Sequence, residues 1–163
     1  MKASRMIILK QEDLRDQAGM ERAFRGYFVD ASREFAGQFN TMLGTELYEC
    51  DYGTKTVTLV MEPKPWMGNP MGILHGGVTA SVLDMTMGLL CRYFSGGHMT
   101  PTISMGVQYL RSGSLDKKLY IKAELTKPGM SICYATGKLW AEGSVDRLIA
   151  TSSGSYYVVP KRG

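Results

Sequence analysis

The stretch Asn69-Pro70-Met71-Gly72-Ile73-Leu74-His75-Gly76-Gly77, with the apolar run that continues it to Phe94, decides how the rest of the chain is read. From Pro65 to Cys91 it carries one formal charge, Asp84, with His75 counted neutral. Val78, Ala80, Val82, Leu83, Met85, Met87, Leu89 and Leu90 flank that carboxylate. The run is too long for one strand, and too short and interrupted for a membrane span. It reads as a buried helix that opens at a Gly-Gly pair and carries one acid in its middle. An unpaired buried carboxylate is costly or shifts its pKa and goes neutral, so a chain that keeps one there has a use for it.

Toward the N-terminus, residues 54–61 alternate Thr56 and Thr58 with Val57, Leu59 and Met61, the period of a half-buried strand that Pro63 and Pro65 stop. The period-two pattern itself sets in from Thr45. Earlier, residues 11–27 carry Leu14, Ala18, Met20, Ala23 and Phe24 at helical spacing. Residues 31–39 read as a second short helix, with Phe35 and Phe39 on one face and Asn40 to Gly44 ending it. Beyond the central helix, which Ser95-Gly96-Gly97 closes, residues 100–109 put Ile103, Met105, Val107 and Tyr109 on one face of a strand. Thr102, Ser104 and Gln108 fall on the other. Residues 118–126 alternate again, Lys127-Pro128-Gly129 turns the chain, and strands over 130–142 and 148–159 follow. Connections this short predict an antiparallel meander, because parallel pairs need long crossovers. The expectation is an α+β fold, a curved antiparallel sheet wrapped around one long central helix. An N-terminal helical segment, 1–41, packs on the main domain, 42–163.

Composition narrows the function. The 163 residues, 44% hydrophobic and 21% charged, suit one globular domain with a proper core. A net charge of +4 without basic runs argues against nucleic acid and is compatible with a small anionic ligand. Cys50, Cys91 and Cys133 are odd in number and make no C-x-x-C pair, which points to reduced thiols in a cytoplasmic protein. The Met6-Ile7-Ile8-Leu9 patch is too short for a signal peptide, and no membrane association is expected. Two histidines and one acid at these spacings form no metal-ligand cluster. Cys91 lies four turns down the same helix from His75, so a Cys–His nucleophile would need another chain and has no supporting motif.

The first N–H groups of a helix lack intrahelical partners and sit at the positive end of its dipole. Gly76 and Gly77 remove side-chain bulk there, so a ligand oxygen can approach the backbone closely. Asp84 is eight residues beyond Gly76, about 12 Å along the helix, out of reach of an atom held at its own helix's start. If both groups act on one substrate, two helices packed antiparallel across a twofold axis bring Asp84 of one chain to Gly76 of the other. A homodimer follows.

Asn69, His75-Gly76-Gly77 six residues on, and Asp84 nine after the histidine together resemble the PaaI-like hotdog-fold acyl-CoA thioesterases. Pro101-Thr102-Ile103-Ser104 through Tyr109-Leu110-Arg111-Ser112-Gly113 is similar to that family's strand after the helix. The likeness runs from Met42 to Val159, and Ser112 departs from the family's usual proline. It implies hydrolysis of an acyl-CoA thioester in a homodimer or dimer of dimers, a homotetramer, with no cofactor, since CoA is part of the substrate. Carried over, a Gly76 or Gly77 N–H polarises the thioester carbonyl. Asp84 is the general base or the nucleophile, Asn69 positions thioester or water, His75 braces the loop, and Thr102 orients water. Arg111, Met85 and Ser104 are the substrate-binding candidates. Arg111, Lys127, Lys138, Lys161 and Arg162 are cations available to CoA phosphates, while Met85, Met87, Trp66 and Phe94 hint at an apolar acyl pocket. Each residue has a structural alternative: Asn69 as a turn starter, His75 as a hydrogen-bonded structural histidine, the glycines as packing space, Asp84 as a buried acid satisfied by backbone or by a partner-chain hydroxyl, Thr102 as an ordinary strand residue. Two rival functions stand beside hydrolysis, a non-catalytic acyl-CoA sensor or carrier and a dehydratase or hydratase.

Overall fold

The computed structural model describes residues 9–160; Lys161, Arg162 and the Met6-Ile7-Ile8 part of the N-terminal patch lie outside them. The first long helix, α1 (Gln17–Glu34), starts where the Asp16 carboxylate accepts the Gly19 N–H at 2.7 Å. The expected break between 27 and 31 is absent. Nothing there opposes a helix, and the first left-handed backbone comes at Gly37, with φ of 80°. The second helix is therefore not 31–39 but the single turn α2 (Phe39–Met42).

The strands are β1 (Thr45–Asp51), β2 (Thr56–Met61), β3 (Thr102–Tyr109), β4 (Leu119–Lys127), β5 (Ile132–Ala141) and β6 (Ala150–Tyr157). Thr54 and Lys55 fall outside β2, which shortens the strand expected over 54–61, and the sequence pattern does not delimit β1. The Thr54 N–H is held by Asp51 Oδ1 at 2.8 Å, and Lys55 turns the hairpin at φ 55°. The six strands form one antiparallel sheet in the order β1-β2-β4-β5-β6-β3. Only β4-β5-β6 is the expected meander; β3 pairs with β6 and forms one edge of the sheet, with β1 at the other. The chain reaches β4 by crossing the end of the sheet. Leu110 and Arg111 donate to Ile149 O at 2.8 and 3.1 Å, and Gly113 O accepts the Leu74 N–H at 2.9 Å.

The central helix α3 (Gly76–Phe94) packs across the sheet, chiefly against β4 and β5. Val82, Leu83, Met87 and Leu90 are buried with Leu59, Ile121, Leu139 and Tyr156 in one core. Burial of such side chains contributes about 1.5–3 kcal/mol each. Gly137 lets the helix approach β5, since a Cβ there would stand 2.9 Å from Leu83 Cδ2. Met20 and Phe24 of α1 join this same core. Tyr93 ties the layers together, with its ring 5.7 Å from that of Phe24 and its hydroxyl donating to Asp13 O at 2.7 Å. Met87 therefore belongs to the core, and Phe94 to an aromatic cluster with Tyr52 and Tyr93, rather than to a pocket. Among the described residues no helix is long and apolar enough to cross a membrane.

Candidate active site

The loop before α3 is built by its own polar groups. Asn69 Oδ1 accepts the Met71 N–H at 2.9 Å and the Ile73 N–H at 3.4 Å, and Gly72 completes the turn at φ 73°. An Asx turn of this kind uses the oxygen of the amide and leaves its NH₂ to point elsewhere. Gly68 and Leu74 then bridge, and His75 N–H donates to Met67 O at 2.8 Å, which sets the start of α3.

His75 is the N-cap of α3. Its Nδ1 accepts the Gly77 N–H at 2.9 Å, so the ring proton sits on Nε2. This bond commits one of the two glycine donors. The Gly76 N–H has no protein acceptor among the described residues. Tyr109, at the far end of β3, donates its hydroxyl to Gly76 O at 3.0 Å and lies against the glycine where a Cβ would stand 3.4 Å from its ring.

Asp84 is half-buried, two turns further along α3. Its Oδ1 accepts the Thr102 hydroxyl at 2.8 Å and the Tyr156 hydroxyl at 3.1 Å. Strict alternation along β3 placed Thr102 on a face with Ser104 and Gln108. A bulge between Thr102 and Ser104 overturns that: Thr102 pairs with Tyr156, while Ser104 pairs with Ser155. The extra residue, Ile103, turns Thr102 to the helix side with Met105 and Val107, and leaves Ser104 on the opposite face. Bulges redirect a side chain in this way and are common beside active sites. The structure thus brings Thr102 to Asp84 and keeps Ser104 from it.

Arg111 is exposed and donates from a guanidinium nitrogen to Leu148 O at 2.9 Å. Met85 is buried and lines a groove of about 1030 Å³ between α1, α2, β1 and α3 with Phe28, Phe35, Leu47 and Met99. None of Asn69, His75, Gly76, Asp84, Thr102 or Tyr156 lines that groove. Trp66 is exposed on the loop. Among the described residues no group of three or more His, Cys, Asp or Glu could hold a metal ion.

Residues 71–147 match the family model of the thioesterase superfamily. Over those residues the chain is similar to that superfamily. Human acyl-coenzyme A thioesterase 13 is 34% identical over 85 residues, 46% of this chain. The match spans 59% of that relative's own length. Zebra fish thioesterase superfamily member 2 superposes with a TM-score of 0.73 at 19% identity, over 88% of this chain and 99% of that one. The PaaI protein of E. coli superposes at 0.66 and 15% identity, over 84% and 96%. At these identities the structures show the fold alone, the hotdog arrangement of sheet and helix.

Two residues of this candidate site escaped sequence reasoning. Tyr156 is separated from Asp84 by 72 positions, and Tyr109 from Gly76 by 33. In the sequence both are strand tyrosines like any other. Burial, then the neighbouring Asp84 carboxylate, pushes the Tyr156 phenol well above its ordinary range. It stays protonated and donates.

Proposed function

We propose that this protein hydrolyses acyl-CoA thioesters, R–CO–S–CoA plus water giving R–COOH and HS–CoA. The observation that carries the reading is the Asp84 carboxylate, the one acid of α3, gripped through one oxygen by Thr102 and Tyr156. The uncommitted N–H of Gly76 supports it. The human relative's name, acyl-coenzyme A thioesterase 13, supports the substrate class.

In this mechanism the Gly76 N–H polarises the thioester carbonyl and holds the developing oxyanion. Asp84 either takes a proton from the attacking water or attacks the carbonyl carbon itself. In both routes the C–S bond breaks and CoA leaves as thiolate, which takes up the proton that water gives up. In the second route water then cleaves the mixed anhydride between the acyl group and Asp84, releasing R–COOH and restoring the carboxylate. Asn69 offers its amide NH₂ to the thioester or the water. His75 fixes the loop through the Gly77 N–H, and Arg111 faces the CoA phosphates.

Eight residues, about 12 Å of helix, separate Gly76 from Asp84, so the site is shared between two chains of a homodimer. The free edge of β3 supports this assembly: it exposes Ile103 at 53% and Tyr109 at 58%, an edge of the kind that pairs with another chain. A dimer of dimers in the cytoplasm completes the reading, in keeping with three unpaired cysteines.

The test is release of free thiol from short, long and aromatic acyl-CoAs. Asp84→Asn keeps an acceptor for Thr102 and Tyr156 but loses the base or nucleophile, and turnover is expected to fall by roughly a hundredfold or more. Saturable acyl-CoA binding without turnover in the wild type would replace hydrolysis with a sensor or carrier role.

A further inference from the structure

Tyr156 belongs to the site for a reason beyond filling the core. Its ring occupies a slot between two glycines. A Cβ on Gly88 of α3 would stand 3.3 Å from Tyr156 Cε1, and one on Gly154 of β6 would stand 3.0 Å from Cε2 and 3.1 Å from the hydroxyl oxygen. Gly88 lies one helical turn beyond Asp84, on the same side of α3. Any larger side chain at either position crowds the ring. The slot therefore directs the phenol under α3 with its hydroxyl at the carboxylate.

That hydroxyl lies 3.1 Å from Asp84 Oδ1 and 3.3 Å from the Asp84 carbonyl oxygen. Thr102 Oγ1 donates to the same Oδ1 at 2.8 Å. Two donors meet on one carboxylate oxygen, one carried by the bulge of β3 and one by β6. Among the described residues no hydrogen bond ends on Oδ2. The two oxygens of one carboxylate are thus made unequal by their surroundings.

We infer that Tyr156 is a positioning residue: with Thr102 it holds Oδ1 of Asp84 so that Oδ2 is the oxygen presented to the thioester or its water. The inference rests on the thioesterase reading and names the atom that reacts within it. Whether Oδ2 attacks carbon or receives the proton of water, the clamp acts alike, by fixing the plane of the carboxylate. The tyrosine touches no substrate. A hydrogen bond to a charged acceptor is worth about 1.5–3 kcal/mol, so loss of this one should lower turnover roughly tenfold to a hundredfold.

The experiment compares Tyr156→Phe, which keeps the ring in its slot, with Thr102→Val, the double variant and Asp84→Asn. Expected are a lower kcat with KM nearly unchanged in each single variant, and a larger loss in the double. In the Asp84→Asn background, Tyr156→Phe should have no further effect on residual turnover. A Tyr156→Phe enzyme with wild-type kcat beside an inactive Asp84→Asn enzyme overturns the clamp and leaves the thioesterase reading intact. A second measurement is independent of activity. In protein labelled with ¹³C at tyrosine Cζ, the Tyr156 resonance (assigned by its loss in Tyr156→Phe) should move in Asp84→Asn and stay put in Ser32→Ala, a change at an exposed position of α1. A resonance unmoved by Asp84→Asn overturns the clamp. No thiol release by the wild type across the whole panel overturns the thioesterase reading and, with it, the role assigned to Oδ2.

Discussion

The Gly76 N–H can be deleted without disturbing the helix it begins. Gly76 is the first residue of α3, the position where proline is best tolerated, because that N–H has no intrahelical partner. Its backbone is not among the left-handed glycines. His75 before it, at φ −67° and ψ 134°, already has the extended conformation that a following proline requires. A Cβ at Gly76 meets the Tyr109 ring at 3.4 Å, an ordinary contact. Gly76→Pro therefore removes one donor and little else. Removal of one oxyanion donor typically costs about 2.7–4 kcal/mol of transition-state stabilisation, a hundred- to a thousandfold in kcat. Gly76→Ala adds the same Cβ and keeps the N–H, so its kcat should stay within about threefold of wild type, less than 1 kcal/mol. The assay is thiol release at saturating acyl-CoA, with circular dichroism to verify that α3 is intact. The proline variant should melt no lower than wild type, since proline at a compatible site stabilises by about 0.4–1 kcal/mol. Wild-type kcat in Gly76→Pro refutes the reasoning. So does a loss in Gly76→Ala as deep as in Gly76→Pro, which would make bulk, and not the donor, the cause.

Further outcomes follow from the same geometry. Refolding a mixture of Gly76→Pro and Asp84→Asn chains should restore about a quarter of wild-type activity, because half the dimers are mixed and each mixed dimer holds one intact shared site; no recovery places both groups in one chain's site. In α1, Gly26→Ala should stabilise by about 0.4–1 kcal/mol, since nothing lies within 4 Å of the new Cβ. Gly19→Ala should destabilise, because its Cβ would stand 2.7 Å from Asp13 O; thermal melts that put both variants on the same side of wild type contradict this. Burial pushes the Tyr156 and Tyr93 phenols above their ordinary 10.0, and the Cys91 thiol above its ordinary 9.0. The unfolded chain thus releases protons from about pH 9 upward while the native chain keeps them, and stability falls as pH rises. Melting temperatures from pH 8 to 11 should show that decline, with a shallower slope in Tyr156→Phe.

Much of this protein is determined locally, and that part is legible in the sequence. A long apolar run opening at Gly76-Gly77 can form only a buried helix, and the fixed rise of a helix sets Asp84 about 12 Å from its start. Period-two patterns located three of the six strands, and the turn residues between them bounded two more. What the sequence left open depends on register and on pairing across the sheet. Side-chain alternation assumes an unbroken ladder, and one extra residue at Ile103 reverses the face of Thr102. Strand order is decided by which edges can be covered, so β3 passes β4 to join β6, and only that pairing sets Tyr156 beside Thr102. Thr102 and Tyr156 reach Asp84 from 18 and 72 positions away, distances at which no local pattern constrains a contact. The sequence alone determined that a carboxylate lies in the helix. The tertiary structure decided which oxygen of it is held, because only the folded sheet brings two hydroxyls to the same atom.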